Sequence, residues 1–342
     1  MVWLPIVEQQ SGGWNDNMQR QFESLQSTMS WYSIYHPSLV PKALIWFLRK
    51  EWKYKTKPIL VVLDRQGRVL CHNALHMMWI WGTYAFPFTS AREEALWREE
   101  TWRLDLLVDG IDAEILNWIQ EDKYVILYGS IDVDWVRKFL KEARRVGVAA
   151  QVPLEMVYVG KSNSIEQVRR VLDTVVLEKL PTHYWLVQSM IWFFWARLES
   201  MLFSKFQLQQ ADDHDIVMQE IQKLLCYDKH DGCFILAKGF SILVNGLANT
   251  GLQTLMEYDM WKEQADREGY GLAFEQHYRK LHTVVAAPCC RFEFSEAMGR
   301  IPDKLRCPEC QRQMRILTTF QCRHDDNVDD PMSIAAFRRP TI

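Results

Sequence analysis

The run Ile59-Leu60-Val61-Val62-Leu63 carries no polar residue, and a strand of that kind needs cover on both of its faces. Residues 124–128 and 154–159 make two more apolar strands. Between them Trp135, Val136, Phe139, Leu140 and Ala143 recur at helical spacing, and Ile165, Val168, Leu172 and Val176 follow in the same way. This alternation predicts an α/β domain over 1–180, a sheet with helices on its faces. Near its start, 2–7 and 31–35 read as strands, 15–29 as a helix capped by Asn15 or Asp16, and 41–52 as a helix with Pro41 in its first turn. Asp64-Arg65-Gln66-Gly67 reads as the turn of a hairpin with 68–71.

After Pro181 the pattern becomes helical. Ile191, Phe194, Trp195, Leu198 and Leu202 share one stripe, and Val217, Ile221, Leu224 and Leu225 share another, which predicts a mainly helical region over 181–284. A small Cys-rich hairpin subdomain over 285–325 and a polar tail over 326–342 complete the chain. With 342 residues, 48% hydrophobic and 24% charged, the chain can bury a substantial core. Its 15 Trp must be buried or held against partners. A net charge of −3 gives no global attraction to nucleic acid or anionic lipid, and neither partner is expected. No membrane span is expected, since the most apolar run, 184–196, is short and contains Gln188 and Ser189. Met1-Val2-Trp3-Leu4-Pro5 does not read as a signal peptide, so the expected compartment is the cytosol.

Enzyme motifs fail on inspection. Gly160-Lys161-Ser162 follows a strand as a phosphate-binding loop does, but Glu155 stands where the first Gly belongs and would repel phosphate. Gly269-Tyr270-Gly271 does not complete a dinucleotide fingerprint, and no Gly-x-Ser-x-Gly exists. His72 and His76 lack the Glu that follows the first His of zinc proteases. Asp212-Asp213-His214-Asp215 and Asp325-Asp326-Asn327-Val328-Asp329-Asp330 lack the central Gly and final Glu of calcium loops, and read as solvated surface. No catalytic and no cofactor-binding residue is expected.

Five of the eight Cys crowd between Cys289 and Cys322. Cys307-Pro308-Glu309-Cys310 is a Cys-x-x-Cys knuckle with further Cys a short loop away, a spacing that suits structural zinc. The metal set on this spacing is Cys290, Cys307 and Cys310 with Cys322 or His324. Packed reduced thiols and a cytosolic disulfide are the alternatives. A metal here would be structural and would hold a segment too small to have its own core.

The element order of 2–70, with Pro58 opening the strand, is similar to thioredoxin-like proteins of the nucleoredoxin type. No Cys precedes Cys71, so the resemblance implies that fold without its redox pair. A wider resemblance rests on Lys57-Pro58-Ile59-Leu60-Val61-Val62-Leu63-Asp64, Asn73-Ala74-Leu75-His76-Met77-Met78-Trp79-Ile80-Trp81-Gly82, Ala85-Phe86-Pro87-Phe88-Thr89 and Leu107-Val108-Asp109-Gly110-Ile111-Asp112. It continues through Val157-Tyr158-Val159-Gly160-Lys161-Ser162, the stretch from Ile191 to Ser200, Cys289-Cys290-Arg291-Phe292-Glu293-Phe294 and the knuckle. Jointly and in this order, they resemble the sieve element occlusion family, which includes the forisome subunits of legumes.

The resemblance spans about residues 2–324 and implies a thioredoxin-like sheet with flanking helices, then a Cys-rich carboxy-terminal domain. It implies a non-enzymatic, structural phloem protein (P-protein) in the cytoplasm of plant sieve elements. Such a protein self-associates with other family members into filaments or bodies that occlude sieve plates. A calcium response is implied by forisomes alone, and the family's amino-terminal domain would precede residue 1. Arg323 stands where the family leads one to expect another Cys, and Cys233 where an aromatic is usual. The rival readings are a thioredoxin-like thiol–disulfide oxidoreductase using Cys307 and Cys310, and a zinc-binding protein-interaction module.

Overall fold

Asn15 caps the first helix as its sequence position predicts: its side chain accepts the Met18 N–H at 2.9 Å, satisfying a donor that the helix start leaves open. The computed structural model describes residues 1–7, 14–54, 58–162, 165–180, 182–185, 188–208, 215–230, 232–284, 290–292 and 305–316. The chain divides into two units, Met1–Ala74 and Leu75–Asp330.

The first unit runs β1 (Val2–Trp3), α1 (Asp16–Thr28), β2 (Tyr32–Ser33), α2 (Lys42–Glu51), β3 (Val62–Leu63) and β4 (Val69–Cys71). β1 and β2 pair in parallel, and β3 and β4 form the expected hairpin. Phe22 on α1 is buried and stacks on Trp3 at 5.6 Å. Asp64 ties the hairpin turn by accepting the N–H groups of Gln66 and Arg68 at 2.9 and 2.8 Å. These strands form two separate two-stranded sheets among the described residues, instead of the single thioredoxin-like sheet expected. The run 59–63 is only half-buried and Leu63 is exposed. Among the described residues β4 is the strand that pairs with it, and the run is less enclosed than its composition predicts.

The second unit opens with four helices, α3 (Leu75–Trp81), α4 (Ser90–Glu99), α5 (Leu104–Val108) and α6 (Ala113–Gln120). The alternation read from the sequence follows: β5 (Tyr124–Gly129), α7 (Val133–Ala149), β6 (Leu154–Tyr158), α8 (Ile165–Leu177) and β7 (His183–Tyr184). Next come α9 (Gln188–Gln207), α10 (Ile216–Lys229), β8 (Cys233–Lys238) and β9 (Ser241–Leu247), then α11 (Ala248–Met256), α12 (Tyr258–Glu268) and α13 (Tyr270–Val284). The five-stranded sheet has the order β7-β6-β5-β8-β9, parallel among β5, β6 and β7 and antiparallel across β5-β8-β9. The fold is mixed α/β.

The boundary expected at 180 falls within the span of this sheet, and the region 181–284, expected to be mainly helical, carries α9 to α13 together with the strands β7, β8 and β9. Cys233-Phe234-Ile235-Leu236-Ala237 is an apolar run that local pattern cannot assign; pairing with β5 makes it a strand. Neighbouring residues of β9 point to opposite faces of the sheet. Asn245 donates to the Glu220 carbonyl of α10, whereas Gly246 lies against Tyr278 of α13. On the α13 side, Phe234 packs on Phe274 at 5.7 Å and on Phe139 of α7 at 5.9 Å.

α9 is apolar on several sides because it is buried on several sides, with Phe194, Leu198 and Met201 fully enclosed. Its buried Ser204 donates to Glu93 of α4, which also binds His76 of α3 at 2.9 Å, and Trp97 donates to Ser204 at 2.7 Å. Arg197, 4% exposed, donates from Nε to the Leu106 carbonyl at 3.0 Å and from Nη1 to the Asp109 carbonyl. It thus covers acceptors that the end of α5 leaves open. Burial pulls its pKa down to about 10. Arg197→Leu should cost about 2–4 kcal/mol in urea unfolding, because two buried carbonyls lose donors at about 1–3 kcal/mol each. Arg197→Lys, which lacks the fork, should fall between the two.

Candidate functional site

Residues 305–316 form a tight turn around Cys307-Pro308-Glu309-Cys310. Arg306 and Gln313 pair as an antiparallel bridge, the Cys307 N–H reaches the Arg312 carbonyl at 2.9 Å, and the Gln311 N–H returns to the Cys307 carbonyl at 2.9 Å. Pro308 restricts φ inside the turn, and Gln311 takes a left-handed φ of 57° directly after the second Cys. This geometry aims backbone amides at sulfur. Backbone N–H groups of Cys310, Cys290 and Glu309, and the Cys310 side chain, favour the ionised form of the Cys307 thiol. Burial opposes ionisation of Cys307, but these donors outweigh it and hold the thiol below its ordinary pKa.

The knuckle is not a self-standing hairpin. Cys226 of α10, Cys290 and Cys307 form one buried cluster, with Phe292 and Met314 packed against it. A hydrogen bond between Cys290 and Cys226, together with burial, pushes the Cys290 thiol well up. Glu309 fastens the turn to two helices: it accepts the Tyr227 hydroxyl of α10 and pairs with His282 Nε2 of α13 at 3.1 Å. Burial works against the Glu309 carboxylate, yet His282 and Tyr227 hold its pKa below the usual range.

Of the expected metal set, Cys290, Cys307 and Cys310 are brought together, whereas Cys322 and His324 lie outside the described residues. Cys226, Cys233, Cys290 and Cys307 are reduced cysteines outside any disulfide. Among the described residues, no three His, Cys, Asp or Glu side chains form a group that could hold a metal ion. Cys226, Tyr227 and His282 were not foreseen. In the sequence Cys226 continues the Leu224-Leu225 core stripe, and no local signal marks it out.

The other sequence candidates have structural employment. Lys161 Nζ donates to the His230 carbonyl at 2.8 Å, and the Ser162 hydroxyl donates to the buried Asp228. Burial holds the Asp228 carboxyl above its usual pKa despite that bond. His76 is buried against Glu93, and His72 is exposed. Asp215 caps α10 and pairs with Lys205 at 2.6 Å; Asp212, Asp213, His214 and the stretch 325–330 lie outside the described residues. A groove of about 720 Å³ is rimmed by Trp118, Arg144, Val148, Pro153, Glu155 and His183, and the His183 ring is held by Asp112 at 2.6 Å.

Residues 91–324, more than half of the chain, match the family described as sieve element occlusion C-terminus. The chain belongs to the sieve element occlusion family. It is similar to three Arabidopsis thaliana relatives. Protein SIEVE ELEMENT OCCLUSION B is 44% identical over 338 residues, covering 96% of this chain and 45% of the relative. Protein SIEVE ELEMENT OCCLUSION A is 35% identical, covering 94% and 40%, and Protein SIEVE ELEMENT OCCLUSION C is 30% identical, covering 94% and 46%. The chain thus spans less than half the length of these curated relatives. No solved structure matches the chain. The family match begins within α4 and runs through the five-stranded sheet to the knuckle.

Proposed function

We propose that this chain is a structural phloem protein of sieve elements, which self-associates with family relatives into filaments or bodies and has no catalytic role. The family match over 91–324 carries this reading. The geometry supports it in two ways. At the carboxyl ends of β5 and β6, where α/β sheets usually open a ligand crevice, Gly129, Gly160 and Gly232 come into backbone contact and Lys161 and Asp228 serve internal bonds. Large aromatics also stay at the surface of the first unit, namely Trp31, Tyr32, Tyr35, Trp46 and Phe47, residue types that assembly surfaces favour. We read Met1–Ala74 as the remnant of a thioredoxin-like unit, kept for its shape. Among the described residues no helix is long and apolar enough to cross a membrane, and we place the protein in the sieve-element cytoplasm.

Electron microscopy of the purified chain, alone and mixed with a full-length relative, tests the assembly. Filaments are expected in the mixture, and a tagged copy should sit in phloem sieve elements. A chain that stays monomeric with the relative, or that reduces insulin in a Cys307-dependent manner, would overturn the reading.

A further inference from the structure

The charge of the whole chain conceals a division. Residues 1–74 carry nine Lys and Arg against five Asp and Glu, whereas residues 75–342 carry 31 against 38. Four of the nine stand on or just after α2, at Lys42, Arg49, Lys50 and Lys53, with Glu51 as the single acid among them. α2 buries Leu48 and half-buries Leu44, Ile45 and Trp52, and leaves its other side to solvent. That outer side carries Trp46 at 62% and Phe47 at 42% exposure beside the four exposed cations. Lys42, Trp46 and Lys50 are four residues apart, on one stripe of the helix, and Lys50 Nζ sits over the Trp46 ring at 4.8 Å.

Stability of the helix does not account for this face. Arg49 and Lys50 lie in the last turn, where a cation suits the helix dipole, but Lys42 opens the helix, where the dipole disfavours it. The contact of Lys50 with Glu51 is loose, 3.9 Å between two exposed groups. Rings left in water add nothing to the core. The residue types also separate two kinds of partner. Protein interfaces are rich in Arg and poor in Lys, and this set has three Lys to one Arg. Trp and Lys together suit the boundary between lipid and water: the indole lies at headgroup level, and the Lys stem follows apolar surface with its ammonium in water. We propose that the outer face of α2, with Lys42, Trp46, Phe47, Arg49, Lys50 and Lys53, binds the surface of an anionic lipid bilayer and lies along it without crossing. The net charge of −3 hides this attraction because it averages over two unlike parts of the chain. The inference is independent of filament formation.

Flotation of the whole chain with vesicles is the test, since protein fibres sink and bound vesicles rise. The chain should float with phosphatidylcholine–phosphatidylserine vesicles and stay behind with phosphatidylcholine alone. Salt should release it, because at physiological ionic strength charges are already screened beyond about 8 Å. Lys42→Glu combined with Lys50→Glu should weaken binding more than about twentyfold, at about fivefold for each basic residue lost. Trp46→Ala should weaken it about fivefold, for a side chain half-buried among headgroups. Its urea midpoint should stay at that of the parent, which separates lost binding from lost folding. Lys138→Glu combined with Lys141→Glu removes two exposed cations of α7 and should float as the parent does. A parent chain that does not float, equal binding to neutral vesicles, or parent-like flotation of both α2 variants would overturn the proposal. Loss of flotation in the α7 variant, or tighter binding to single-stranded RNA than to the anionic vesicles, would overturn it too.

Discussion

Trp195→Ala is expected to lower the unfolding free energy by about 3–5 kcal/mol, the range for emptying a buried aromatic site. Trp195 is 2% exposed on α9, packs edge-on against Phe194 at 5.2 Å, and donates its indole N–H to the Val159 carbonyl at 2.9 Å. The substitution therefore opens a cavity and strips a donor from the backbone just beyond β6. Trp195→Phe keeps most of the volume and loses only the donor, for about 1–2 kcal/mol. Trp46→Ala is the contrast: that side chain is exposed, with Lys50 over its ring at 4.8 Å, and its loss should change stability by less than about 0.5 kcal/mol. Urea midpoints of the three variants measure the order. Equal effects of Trp195→Ala and Trp46→Ala would show that α9 does not hold the sheet in the way described.

The second large effect is expected at Gly129. A Cβ there would sit 2.1 Å from the Gly160 carbonyl oxygen, which is backbone and cannot swing aside. A Cβ on Gly232 would meet the Gly129 carbonyl at the same 2.1 Å. The ends of β5 and β6 and the entry to β8 are thus held at a separation that only glycine permits. Gly129→Ala should cost about 3 kcal/mol or more, at or above the upper end of ordinary overpacking. Gly110 separates this cause from backbone strain. Its φ is +71° but nothing lies within 4 Å of an added Cβ, so Gly110→Ala should cost only about 1–2 kcal/mol. Equal costs at Gly129 and Gly110 would refute close approach as the reason.

Much of the scaffold was legible because its signals are local. Trp135, Val136, Phe139, Leu140 and Ala143 at helical spacing specify the buried face of α7 within one stretch of chain. β5 and β6 stood out for the same reason. β8 did not, since Phe234-Ile235-Leu236-Ala237 fits a buried helix or a buried strand until β5 is seen beside it. The run 59–63 misled in the other direction. Its composition asks for cover on both faces, yet its residues are half-buried and Leu63 is exposed.

The candidate site divides along the same line. The Cys-x-x-Cys turn could be read directly, because Pro308 and the Cys spacing act over a few residues. Its seat could not. Glu309 reaches Tyr227 across 82 positions, His282 joins from α13, and Cys226 looks like one more core residue of α10. Periodicity, caps and turns therefore determined which segments become helix or strand and that the Cys-rich end forms a knuckle, since those preferences come from sterics and hydrogen bonds among near neighbours. Only tertiary structure decided which thiols meet, which face the knuckle docks on and which strands complete the sheet. Those outcomes depend on burying groups that are far apart in the chain, and pattern within a short window carries no record of such pairings.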